Sequence, residues 1–178
     1  CDLDNFISKF MYPSFEKIKT RWEDVKPGDW FFPMTIKGVN QHNYIGEALA
    51  RGAAGFSYEK GYVNAHSARC QEVTNLREEL FTLAQKKREL VTGKIAVIGG
   101  SAGKTTVKEL LACLLRSHSK KSFASPENQN TKIALASQIL ELPQDCDFAA
   151  FEVGARRVGD FSIPLNFLRP DVVALLNI

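Results

Sequence analysis

The sequence predicts an α/β protein, with a small mixed α/β domain (residues 1–92) followed by the first part of a doubly wound, parallel-sheet domain (residues 93–178). Three observations carry this. From residue 93 onward, short apolar runs alternate with amphipathic stretches in the order β-α-β-α-β, which packs helices against a parallel sheet. The first of those runs, Ile95-Ala96-Val97-Ile98, is wholly apolar, as a strand covered on both faces must be. The residues before it are of another character, rich in aromatics (Phe6, Phe10, Phe15, Trp22, Trp30, Phe31, Phe32) and broken by turn signals.

In the first domain, Lys26-Pro27-Gly28-Asp29 marks a turn, because proline presets φ while Gly and Asp accept unusual backbone angles. A strand is expected over 30–34, a short helix over 44–51 closed by Gly52, and a strand over 54–58. Leu76, Leu80, Leu83, Ala84 and Leu90 recur at helical spacing among charged residues and predict an amphipathic helix over 74–91, ended by Thr92-Gly93.

In the second domain a strand is expected over 95–98. Val107, Leu110, Leu111, Leu114 and Leu115 then give a helix one apolar face. A further helix covers 131–142, stopped before Pro143. Strands at 148–153 and 172–176 flank a helix at 161–168. A three-stranded sheet of this kind is small. The run at 172–176 stands directly before the last residues, so we expect the sequence to stop inside a larger domain. Cys1 stands where an initiator Met would and is read as a truncation point.

The composition is that of an ordinary globular chain, with 178 residues, 44% hydrophobic, 24% charged and a net charge of +3. No Lys/Arg stripe with interleaved aromatics is present, so a nucleic-acid surface is not expected. No apolar run is long enough to span a bilayer. Cys1, Cys70, Cys113 and Cys146 form no CxxC pair, and His42, His66 and His118 are far apart, so no zinc signature appears. Scattered free cysteines point to a reducing, cytoplasmic setting. Cys113, inside the apolar helical pattern, is expected to be buried and inert.

Gly99-Gly100-Ser101-Ala102-Gly103-Lys104-Thr105-Thr106 lies between the apolar strand and the amphipathic helix. That context makes it a P-loop. Glycines let successive N–H groups converge on one phosphate, and the helix N-terminus adds its partial positive charge. The nucleotide-binding residues read from the sequence are Gly100, Ser101, Ala102, Gly103, Lys104, Thr105 and Thr106. Lys104 supplies charge to the β and γ phosphates of ATP, and the Thr105 hydroxyl is an oxygen ligand for Mg²⁺. Glu152, at the C-terminal end of the 148–153 strand, is the second Mg²⁺ ligand. Lys104 and Glu152 are therefore the expected catalytic pair. The pattern departs from GxxxxGK[ST], because Ile98 stands where the first Gly belongs.

Three further groups have alternative readings. His42 is a nucleotide-sugar contact or a loop-capping polar residue. Lys86-Lys87-Arg88 is a solvated helix face rather than a phosphate patch. Trp30-Phe31-Phe32 packs in the core rather than stacking on a uracil ring.

Several segments resemble the Mur ligases, ATP-dependent amino-acid and peptide ligases of bacterial cell-wall synthesis. IGGSAGKTTVKE (Ile98 through Glu109) is similar to that family's ATP loop. Asn128-Gln129-Asn130-Thr131-Lys132-Ile133-Ala134, Glu152-Val153-Gly154-Ala155-Arg156-Arg157-Val158-Gly159-Asp160 and Arg169-Pro170-Asp171-Val172-Val173-Ala174-Leu175-Leu176-Asn177-Ile178 resemble segments of the branch that adds D-alanyl-D-alanine. In the first domain, Val25-Lys26-Pro27-Gly28-Asp29-Trp30-Phe31, Asn40-Gln41-His42 and Glu47-Ala48-Leu49-Ala50-Arg51-Gly52-Ala53-Ala54 resemble motifs of the family's UDP-sugar-binding domain.

The resemblance implies a cytoplasmic, monomeric ligase for peptidoglycan synthesis. ATP would phosphorylate the carboxylate of a UDP-muramoyl peptide, and an amine would attack the acyl phosphate to form an amide. Asn128 and Asn130 would line the nucleotide-sugar side. The family's remaining central-domain residues and third domain are not in this sequence, so it is not expected to complete catalysis alone. Seven positions in four places depart from the family pattern. Arg21-Trp22-Glu23 replaces Asp-Ser-Arg, Arg156-Arg157 replaces Asn-His, Ala102 replaces a polar residue, and Lys132 replaces an acid. These departures keep open a non-catalytic Mur-like binding module. The P-loop by itself keeps open a kinase or NTPase.

Overall fold

The computed structural model describes residues 12–36, 38–62, 68–126, 129–155 and 157–177. Phe6, Phe10, His66, Asn128 and Arg156 lie outside them. The chain divides into two compact units between Leu80 and Phe81, inside the long helix Leu76–Leu90.

The first unit holds a four-stranded parallel sheet of β1 (Ile18–Lys19), β2 (Trp30–Phe31), β5 (Gly55–Glu59) and β6 (Cys70–Val73), in the order β1-β2-β5-β6. Between β2 and β5 come an antiparallel pair, β3 (Thr35–Ile36) and β4 (Val39–Asn40), and helix α1 (Ile45–Ala50). Trp30, Phe31 and Phe32 have no solvent exposure, as core packing requires, and Trp30 Nε1 donates to Ser57 Oγ at 2.9 Å. Gly52, at φ +91°, closes α1 as expected. Strands β1, β3, β4 and β6 are not among those the sequence predicts. The first three are two residues long each, and β6, Cys-Gln-Glu-Val, lacks an apolar alternation to announce it.

Helix α2 (Leu76–Leu90) is capped by the Asn75 side chain, which accepts from the N–H groups of Arg77 and Glu78. The solvated-face reading of Lys86-Lys87-Arg88 fails beyond Lys86. Lys87 is buried, and Arg88 donates to the carbonyls of Leu168, Val91 and Arg169 and pairs with Asp171 at 3.4 Å. Neighbouring residues on a helix point about 100° apart, so a basic triplet cannot share one face.

The second unit is a four-stranded parallel sheet in the order β10-β7-β9-β8, built from β7 (Lys94–Gly100), β8 (Ser122–Ala124), β9 (Phe148–Glu152) and β10 (Val172–Leu176). The sequence announced three of these strands. Ser-Phe-Ala is too short and too polar to announce β8. Helices α3 (Lys104–His118), α4 (Lys132–Glu141) and α5 (Ser162–Leu168) connect the strands. The chain crosses from β9 to the far side of β7, so the strand order reverses there, and the crevice beyond the carboxyl ends of β7 and β9 is where such sheets bind ligands.

Helix α3 is rotated relative to its apolar stripe. Lys108 and Ala112 face inward, while Leu110 (63% exposed) and Leu114 (67%) face solvent. Cys113 is exposed, against the expectation of a buried thiol. Its neighbours in sequence are apolar, but the face that packs on the sheet is centred on Lys108.

Candidate functional site

Strand β7 ends in Gly99 and Gly100, and the chain then turns through Ser101, Ala102 and Gly103 into α3. A side chain at Gly100 would place its Cβ 1.7 Å from the Leu176 carbonyl oxygen, and the backbone there has φ +137°, so only glycine fits. Gly103 sits at φ +80° as the N-cap of α3.

Among the described residues, no protein group takes up the backbone N–H groups of Ala102, Gly103, Lys104, Thr105 and Thr106. The first amides of a helix have no partner of their own, and here they line an exposed turn at the positive end of a fifteen-residue helix. Ser101 differs, since its N–H and its hydroxyl both donate to the Asn177 carbonyl. The Lys104 ammonium folds back over the loop and donates to the Gly100 carbonyl at 2.8 Å.

Glu152 stands at the end of β9, opposite Ile98 of β7. It is 5% exposed. Thr105 Oγ1 donates to its Oε2 at 2.8 Å, and Asn130 Nδ2 donates to its Oε1 at 2.9 Å. The Gly154 N–H donates to the Asn130 carbonyl, fixing the segment that carries this amide. Among the described residues Glu152 has no ion pair, so a buried carboxylate is held by neutral donors alone. Burying a charge without a counter-charge is costly, and a divalent cation would supply one.

The donors here are oxygens, a carboxylate and a hydroxyl. No cluster of three or more His, Cys, Asp or Glu able to hold a metal occurs among the described residues. A sparse, hard donor set suits Mg²⁺, which takes few protein oxygens and fills its shell with water and phosphate. Thr105 and Glu152 could hold such a cation, and the loop amides and Lys104 could hold an anion such as a phosphate.

The structure thus brings together Gly100, Gly103, Lys104, Thr105, Thr106, Glu152 and Asn130. Asn130, which the resemblance places on the nucleotide-sugar side, donates to Glu152, and Asn128 lies outside the described residues. Sequence reasoning missed Lys108 and Ser125, which lie directly beneath the site. The signal available was a lysine one turn after Thr105, on the helix face that must pack.

In the first unit, His42 Nδ1 lies 2.9 Å from Asn40 Oδ1, and the same oxygen accepts from the His42 N–H. His42 therefore sits in the loop-capping arrangement, with burial pushing its pKa below the usual histidine range. A cavity of about 250 Å³ lies beside it, lined also by Met34, Glu59 and Arg77. Arg21 is 3.5 Å from Glu23 and 3.8 Å from Asp24. Lys132 pairs with Asp160 at 3.2 Å. No helix among the described residues is long and apolar enough to cross a membrane.

Residues 98–178 match the family described as the Mur ligase middle domain. The chain is 33% identical over 157 residues to the UDP-N-acetylmuramoyl-tripeptide–D-alanyl-D-alanine ligase of Rickettsia prowazekii, covering 88% of this chain and 34% of that one. To the ligase of the same name from Escherichia coli it is 24% identical over 166 residues, covering 93% and 36%. Among solved structures, the MurF ligase of Thermotoga maritima in complex with ADP superposes with a TM-score of 0.80 at 32% identity, covering 92% of this chain and 38% of that one. MurF of Acinetobacter baumannii gives 0.82 at 25% identity, covering 90% and 35%. The chain spans about a third of the length of the curated relatives it matches.

Proposed function

We propose that this chain, whose residues 98–178 belong to the Mur ligase middle-domain family, is part of an ATP- and Mg²⁺-dependent ligase that joins D-alanyl-D-alanine to a UDP-muramoyl tripeptide. The observation that carries the reading is the juxtaposition of free P-loop amides, Lys104 and the Thr105–Glu152 pair at one end of the sheet. A structural neighbour was crystallised with ADP. Peptidoglycan synthesis in the cytoplasm by a monomeric enzyme is part of the same proposal.

In this reading the amides of residues 102–106 and the helix N-terminus bind the β-phosphate, and Lys104 leaves the Gly100 carbonyl to meet the γ-phosphate. Thr105 and Glu152 would hold Mg²⁺, which neutralises phosphate charge when bound. Asn130 keeps the Glu152 carboxylate turned toward Thr105. The transferred phosphoryl group would go to the substrate carboxylate, and the resulting acyl phosphate would be attacked by the amine. These residues bind and orient the reacting groups, which is most of what phosphoryl transfer asks of a protein.

A second reading, a Mur-like binding module, has one observation in its favour. In the first unit Trp22 and Glu23 stand where the family pattern has Ser-Arg, and the Glu23 carboxylate is paired with Arg21 at 3.5 Å. Calorimetric titration of the chain with UDP-muramoyl tripeptide separates the two. Saturable binding supports the ligase. An affinity for Mg²⁺–nucleotide with none for the sugar nucleotide would favour the module.

A further inference from the structure

Lys108 has no solvent exposure, although it lies on the helix that opens the nucleotide site. Its ammonium donates to the Ser125 carbonyl at 2.6 Å and pairs with Glu109 Oε1 at 2.9 Å. Glu109 is 47% exposed at its side chain, and the Lys108 hydrogen bond holds its carboxyl below the usual carboxylate range. Ser125 is itself 2% exposed and sits where β8 ends. Its hydroxyl accepts from the Glu152 N–H at 3.0 Å, and its own N–H donates to the Ala150 carbonyl at 2.9 Å.

The network has a direction. Thr105 and Lys108 stand three residues apart on α3, one turn of helix, and so on adjoining parts of one face. Thr105 reaches the Glu152 carboxylate directly. Lys108 reaches the Glu152 backbone through Ser125. One helix is thereby fastened to the same residue at two points, which fixes the distance between the Thr105 hydroxyl and the Glu152 carboxylate. A buried ammonium is expensive, and an apolar side chain of similar length would avoid that cost. Keeping lysine here therefore serves geometry more than stability.

We infer that Lys108 is a positioning residue, which through Ser125 holds Glu152 in register with Thr105 and so sets the site's response to Mg²⁺. The inference rests on the nucleotide-site reading above for its metal arm, but not for its structural arm. Lys108 touches no reacting group.

The test uses the chain as it is, with Lys108→Met and Ser125→Ala. Ser125→Ala removes the hydroxyl that accepts from Glu152 while leaving the Lys108 contact to the carbonyl, and it keeps the inference testable if Lys108→Met does not fold. The first readout is amide hydrogen exchange without nucleotide. The Glu152 amide should exchange about 10-fold faster in each folded variant, while the Ile95 and Val97 amides stay unchanged. The second readout is ADP affinity with and without Mg²⁺. The Mg²⁺-dependent gain should fall by about 10-fold, the usual size of an outer-shell effect, with metal-free ADP affinity within about two-fold of the unaltered chain. Unchanged Glu152 exchange in both variants overturns the inference, as does an equal loss of ADP affinity with and without metal. If the unaltered chain binds no ADP at all, the nucleotide-site reading fails, and the exchange data still decide the role of Lys108.

Discussion

Thr105 and Glu152, 47 residues apart in sequence, meet through a 2.8 Å hydrogen bond from the threonine hydroxyl to the buried carboxylate. This contact joins the first turn of α3 to the end of β9, and the register of β7 with β9 brings Glu152 beside Ile98, two residues before Gly100. The helix start, the loop and the acid therefore form one unit.

Thr105→Val removes the hydroxyl, and Glu152→Gln removes the negative charge and leaves one carbonyl acceptor where the carboxylate has two oxygens. Each should reduce the Mg²⁺-dependent part of ADP affinity by about 10- to 100-fold, and metal-free affinity should change little. Calorimetry with Mg²⁺ and with a chelator measures both quantities on the same protein.

Gly100 gives a stability prediction. Gly100→Ala would place its new Cβ within bonding distance of the Leu176 carbonyl oxygen at a φ of +137°. Strain of this kind costs about 3 kcal/mol or more, so the thermal midpoint should drop by several degrees. Gly159→Ala is a control for the conformational part, because its φ is +89° but no atom of the described residues lies within 4 Å of its Cβ. It should cost about 1 kcal/mol.

Thiol chemistry tests the rotation of α3. Cys113 is exposed, while Cys146 is buried, and burial pushes its thiol pKa above the ordinary range. A maleimide at neutral pH should label Cys113 within minutes and leave Cys146 unmodified until the chain is denatured. Peptide mapping of the labelled protein reads this out, and protection of Cys113 would mean that another face of α3 packs on the sheet.

Asp171 sets a pH dependence. The hydrogen bond from Lys94, with the Ile95 N–H behind it, holds its carboxyl below the usual carboxylate range. The folded state therefore binds its proton less readily than the unfolded state. The stability it contributes is complete above the unfolded value of about 3.9 and is lost as pH falls through the lower folded value. Asp171→Asn should cost about 1 kcal/mol at neutral pH and flatten the stability curve in the acid range. Urea melts across that range check both.

The second unit was the more legible in sequence. A wholly apolar run, a glycine turn and a 3.6-residue period are local signals, and they located β7, the loop and α3. The strands that escaped, β1, β3, β4, β6 and β8, are short or polar and exist because a neighbour supplies their hydrogen bonds. The rotation of α3 was not legible, because an apolar stripe says which residues avoid water but not which of them find a partner. Leu110 and Leu114 belong to the stripe and face solvent, while Lys108 interrupts it and is buried. The roles of Asn130 and Ser125 depend on contacts with Glu152 from 22 and 27 residues away. No local pattern encodes such a distance.

In the proposed function residues 100–106 bind nucleotide phosphate, with metal on Thr105 and Glu152. Calorimetric titration of the chain with Mg²⁺–ADP, repeated with Lys104→Ala, tests it most directly. Saturable binding at one site, weakened about 10- to 100-fold by loss of a charged donor, is the predicted result. Equal affinity for the two proteins, or no binding by the unaltered chain, would contradict it.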